Sequence, residues 1–72
     1  MRNERLLILG QKIRFERLKK GLSQEELAEK TNLSRRAISC IECGTNDAKF
    51  STLVRLIEVL GVEPTHLFST SL

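Results

Sequence analysis

Arg35 and Arg36 follow a serine, Ser34, and stand one helical turn before Ser39 and Cys40 respectively, in the run SRRAISC. At helical spacing these four side chains form one strip. A guanidinium is a planar fork of donors that can grip two acceptors at once, such as guanine O6 and N7 or a pair of phosphate oxygens. Ser39 adds a hydroxyl able to bond a base or a phosphate, and Cys40 a small, largely apolar contact. The chemistry on offer is binding rather than turnover. With one histidine, no nucleophile elbow, no phosphate-cradling glycine loop and no metal-ligand cluster, the chain carries no catalytic set.

Such a strip reads a partner only when it is presented at a fixed angle, so the elements that hold it matter. Ser23 followed by Glu26 is a capping box, in which hydroxyl and carboxylate each satisfy an orphan backbone N–H, and a helix should begin at Gln24. Leu27, Ala28 and Thr31 share one face of that helix, while Glu25, Glu29 and Lys30 take the other. Asn32, which tolerates positive φ, stands where a left-handed residue would stop it. Ser34 can cap a second helix whose apolar positions are Ala37, Ile38 and Ile41 and whose end is marked by Gly44. Helices with so short a joint must cross steeply, as in a helix-turn-helix, here over residues 23–44. The small Ala28 lets them approach.

The flanking segments read as further helices. Glu4 to Lys20 places Leu9, Ile13 and Leu18 near helical periodicity, with Lys12, Arg14, Glu16 and Lys19 largely on other faces and Gly21 at the end. Leu6, Leu7 and Ile8 are apolar enough to pack on the core or on a partner chain. After a polar loop, Thr45 to Lys49, Ser51 can cap a fourth helix that buries Leu53, Leu56, Ile57 and Leu60 and closes at Gly61. Pro64 suits the first turn of a short fifth helix, completed by Leu67 and Phe68, with residues 69–72 as a frayed tail. The expectation is an all-α, five-helix, single domain over residues 1–72.

A chain of 72 residues is near the lower limit for a self-sufficient core, a limit that dimerisation relieves. The apolar surface of Val62, Pro64, Leu67 and Phe68, with neighbouring parts of the fourth helix, is the expected dimer patch, within residues 59–72. Net charge is +3, but residues 1–20 carry a local +5 and the remainder a local −2. That concentration suits a polyanion better than a membrane, because no long apolar span or signal-peptide pattern is present; a cytoplasmic protein is expected. Without Trp or Tyr, and with only three Phe, the chain lacks stacking platforms for single strands, which favours duplex DNA.

Cys40-Ile-Glu-Cys43 satisfies a CxxC pattern. It lacks the strand context of a thioredoxin-like site and the four ligands of structural zinc, since only the distant His66 could join the two thiols, and no metal or cofactor is expected. Oxidation of Cys40 is the more physical form of a switch.

The run GLSQEELAEKTNLSRRAISCIECG, with the later FSTLVRLIEVLGVEPTHLF, resembles the Cro/repressor helix-turn-helix family of bacterial and phage regulators, over nearly all of the chain after Leu9. The short format and the ending VEPTHLF also look like the small controller proteins of restriction-modification operons. The sequence departs from the family's common pattern at Asn32, where Gly is frequent, at Ala48, where the loop usually carries Pro, and at Cys40 and Cys43, often polar. The resemblance implies a compact lambda-repressor-like domain that binds double-stranded DNA as a homodimer on a near-palindromic operator, as repressor or autoregulating controller. It also implies that Gln24 grips the DNA backbone and braces Arg35, and that Arg17 and Glu42 form a partly buried ion pair tying the first helix to the third. Arg35, Arg36, Ser39 and Cys40 are then the expected base contacts, and Gln24, Ser34, Thr45, Asn46 and Lys49 the phosphate contacts. Related regulators touch RNA polymerase through an acidic patch near Glu25 and Glu29, a further possible partner. The alternative is a protein-interaction module, such as an antitoxin's DNA-binding-like half.

Overall fold

The computed structural model describes residues 4–45 and 48–68, all of it helix, turn or loop. Five helices follow in order: α1 (Glu4–Lys19), α2 (Gln24–Thr31), α3 (Arg35–Glu42), α4 (Phe50–Leu60) and α5 (Pro64–Phe68). α1 packs on α3, α4 and α5, and α2 on α3 and α4. Ile13, Leu27, Ala28, Ile38, Ile41, Leu53, Leu56, Leu60 and Leu67 form the shared core.

Local chemistry sets the ends of the reading unit. The Ser23 hydroxyl accepts from the Glu26 N–H at 3.0 Å while the Ser23 N–H donates to Glu26 Oε1 at 2.8 Å, so the capping box is complete. Asn32 takes the left-handed conformation, φ 60° and ψ 35°, and Leu33 N–H returns to the Ala28 carbonyl at 2.9 Å. Ser34 caps α3 by accepting from Ala37 N–H at 3.0 Å. At the far end Thr45 N–H bonds the Cys40 carbonyl and Gly44 N–H that of Ile41, the two bonds of a Schellman turn. Gly44 sits there at φ +71°, and a Cβ on it would lie 2.7 Å from Leu7 Cα. Both the turn and the close approach of the start of α1 therefore require glycine.

α1 differs from its expected face. Leu18 is 52% exposed, whereas Lys12 and Glu16, expected on outer faces, are 5% exposed. The reason is that α1 lies among three helices, so its inward side is wide, and its polar members find partners. Lys12 Nζ donates to the His66 carbonyl of α5 at 2.9 Å, a lysine closing a helix C-terminus. Glu16 faces Lys19 at 3.3 Å and His66 Nε2 at 3.8 Å. Phe15, also exposed, lies under Lys19 Nζ at 5.6 Å.

Two further expectations are corrected. α4 begins at Phe50, with Lys49 at the cap position and no side-chain cap bond, because the Lys49 carbonyl already receives Thr52 and Leu53 N–H; Ser51 is inside the helix. Leu67 is 1% exposed within its own chain's core, so it is not available to a partner, and the expected dimer patch loses it. Val62 is half-buried against the core and Pro64 exposed. The side chain of Phe68, the tail 69–72 and Asn46 lie outside the described residues.

Candidate nucleic-acid interface

α3 has two unlike sides. Its inward side is Ile38, Ile41 and Glu42, all buried. Glu42 is the polar hub: Arg17 Nε donates to Oε2 at 2.6 Å, Arg17 Nη2 to Oε1 at 3.1 Å, and Gln24 Nε2 to Oε1 at 3.2 Å. Arg17 Nη1 also donates to the Leu22 carbonyl at 2.8 Å. One carboxylate thus joins α1, the start of α2 and the end of α3. The hydrogen bond with Glu42 is the main reason the Arg17 guanidinium is held above its ordinary pKa, against an opposing desolvation; the Coulombic attraction of Glu42 adds to it.

Gln24 is placed differently from the implied brace on Arg35. Its amide nitrogen is on Glu42, and the neighbour of Arg35 is Glu25, with Nε and Oε1 3.9 Å apart and both side chains exposed. Arg36 has no hydrogen-bond or ion-pair partner among the described residues. Ser39 and Cys40 are half-buried beside the two arginines. Ser34 caps the same helix, Thr45 Oγ1 donates to the Cys40 carbonyl at 3.2 Å, and Lys49 is exposed at the start of α4. The structure therefore brings Gln24, Ser34, Arg35, Arg36, Ser39, Cys40 and Thr45 onto the one unit of α2, α3 and their ends, with Lys49 after the loop.

Gly10 is the positioning residue that sequence reading passed over. A Cβ built on it would lie 2.6 Å from the Glu42 carbonyl oxygen and still closer to that of Ile41. α1 and the last turn of α3 meet backbone to backbone there. The signal was present: a glycine inside a helix is disfavoured by about 1 kcal/mol against alanine and usually has a packing reason.

Two serine-capped helices crossing at a left-handed turn, the second showing arginines outward and clamped inward by a carboxylate, define a helix-turn-helix reading head. The helix-turn-helix family profile matches residues 13–67, and the chain belongs to that family of DNA-binding transcription regulators, which are not enzymes. Among individual relatives, it is 41% identical over 68 residues to the control protein C.BamHI of Bacillus amyloliquefaciens, spanning 93% of this chain and 84% of that one. The restriction-modification controller C.AhdI of Aeromonas hydrophila superposes with a TM-score of 0.83 at 36% identity, covering 88% of this chain and 96% of the other. A hypothetical transcription factor from Neisseria, NHTF, superposes at 0.84 with 30% identity, covering 94% and 79%. Among the described residues no helix is long and apolar enough to cross a membrane, and no three His, Cys, Asp or Glu are grouped to hold a metal ion.

Proposed function

We propose that the chain is a controller of the restriction-modification type, which binds a near-palindromic operator as a homodimer and regulates transcription by occupying it. The observation that carries this reading is the division of α3. Arg35 and Arg36 stand exposed at its first turn, and the opposite side is fixed to the scaffold through Glu42. The first turn of the second helix is the end that enters the major groove in this motif, where each arginine can bridge guanine O6 and N7. Ser39 and Cys40 continue the reading strip; Gln24, Ser34, Thr45, Asn46 and Lys49 hold the backbone. A dimer would set two reading helices about 34 Å apart, one turn of duplex. Its patch, centred on residues 59–72, draws on Val62 and Pro64 and on the half-buried Val59, and is continued by the half-buried Val54 and Ile57 earlier in α4. The whole chain, 1–72, acts as one domain. The likeness to named controllers of similar length supports the setting.

Selection of binding sites from random duplexes tests the reading. Enrichment of a two-fold site, lost in Arg35→Ala with Arg36→Ala, is the expected result. Failure to enrich any site at low salt would sink it.

A further inference from the structure

The direction opposite the buried side of α3 falls on a thiol pair. With about 100° of turn per residue, the inward directions of Ile38, Ile41 and Glu42 average to a point diametrically across from Arg36, Cys40 and Cys43. Cys40 is half-buried, Cys43 is exposed, and both are free. The centre of the outward face of the reading helix is therefore one arginine and two thiols.

The pair also spans a mechanical junction. Cys43 is the C-cap of α3, at φ −82° and ψ −7°, and the Cys40 carbonyl receives both Thr45 N–H at 3.1 Å and Thr45 Oγ1 at 3.2 Å. The turn that the two cysteines bracket is thus the one that hands the chain from the reading helix to the loop before α4. Residues three apart on a helix have Cβ atoms about 5–6 Å apart, and a disulfide needs about 3.5–4.5 Å. Closure is within reach, because Cys43 already lies outside the helix, but it must draw the last turn inward against the Schellman bonds.

We propose that Cys40 and Cys43 are a reversible oxidation site, at which hydrogen peroxide closes a disulfide on the outward face of α3 and thereby releases DNA. The exposed Cys43 sulfur, as thiolate, attacks a peroxide oxygen; the O–O bond breaks, one water leaves, and Cys43 becomes a sulfenic acid. The Cys40 sulfur then attacks Cys43 Sγ, the S–O bond breaks, a second water carries away the hydroxyl with the Cys40 proton, and the S–S bond forms. Two thiols lose two electrons, which the peroxide takes up, and a dithiol reductant reverses the reaction. Closure shifts Cys40 on the reading strip and moves the Thr45 end of the loop. The DNA consequence rests on the operator reading above; the closure itself does not.

The test is peroxide treatment of the full chain, followed by intact mass, thiol titration and binding to the selected duplex. The expected wild-type product has lost two hydrogens and both titratable thiols while remaining a single chain, binds about tenfold or more weakly, as for loss of one good base contact, and recovers with dithiothreitol. Cys43→Ser, at the same peroxide dose, binds as its own untreated form does and yields no species lacking two hydrogens. Products that only gain oxygen, or only cross-link two chains, overturn the proposal. So does a closed disulfide that binds DNA unchanged, or a Cys43→Ser protein that loses binding equally. Should the reduced protein enrich no duplex, the operator reading fails by itself, while the mass change and thiol titration still decide whether the dithiol closes.

Discussion

The two sides of α3 are built on opposite terms. On the inner side every polar atom is committed: Glu42 takes three hydrogen bonds, and among the described residues no buried side-chain nitrogen or oxygen lacks a partner. On the outer side Arg35 has only a loose, exposed neighbour in Glu25, and Arg36 has none among the described residues. A reading helix needs both conditions. Rigid inner bonds fix the angle of α3, and in the proposed operator reading the uncommitted outer donors keep their hydrogen bonds for DNA. Satisfying the arginines internally would make a more stable and less useful protein.

Breaking the inner side should cost stability first. Glu42→Ala leaves the Arg17 guanidinium buried opposite a void, and removal of one partner of a buried pair destabilises by roughly 3–5 kcal/mol. For a chain this short, thermal unfolding should shift down steeply; an unchanged Tm would mean the pair is exposed in solution. Gly10→Ala attacks the same contact from α1. By helix propensity alone the change should stabilise, yet the new methyl meets the Ile41 and Glu42 carbonyls, and overpacking of this kind costs about 1–3 kcal/mol. A variant as stable as wild type would show that α1 and α3 can move apart freely.

The outer side should behave in reverse. Arg35→Ala and Arg36→Ala are expected to leave urea unfolding within about 0.5 kcal/mol of wild type, as exposed positions do. Each should still weaken specific binding by about 1–3 kcal/mol if it bridges a guanine. A phosphate contact would instead weaken all duplexes alike and flatten the salt dependence. A loss of stability comparable to that of Glu42→Ala would erase the distinction between the two sides.

Much of the fold was legible because its signals were local. Capping serines, the positive-φ Asn32 and the terminal glycines act within a few residues, and they placed α2, α3 and the turn between them. The misplacements arose where tertiary partners decide. Lys12 and Glu16 read as surface charges because their partners, His66 and its carbonyl, are about fifty residues away. Leu67 read as a spare apolar face because five residues of helix cannot reveal that the core extends to them. Gly10 was missed since a backbone contact leaves no side-chain pattern to find. The strip of α3 was visible from spacing alone, but the partner of Gln24 was not: whether its amide met Arg35 or Glu42 depended on how α1 and α3 packed.

The smallest expected effect separates the starts of α2 and α3, which are both capped by serine. At α2 the Ser23 backbone N–H, and then its side chain, hold the Glu26 carboxyl below its ordinary pKa. At α3 the corresponding position is Ala37, so that cap contains no titrating group. A depressed carboxyl contributes stability that is fully present above its unfolded-state pKa and is lost as pH falls through the lower, folded value. Acidification through that window should therefore release the Ser23 amide to exchange while the cap bond of Ser34 to Ala37 persists. Carboxyl chemical shifts of Glu26 and amide exchange at Ser23 and Ala37 provide the measurement. If Glu26 titrates at or above the ordinary glutamate value, the capping box is not formed in solution and the two starts are equivalent. Because Glu26 is fully exposed, the change should appear as local fraying at Gln24 and Glu25 and leave the Arg17–Glu42 clamp in place.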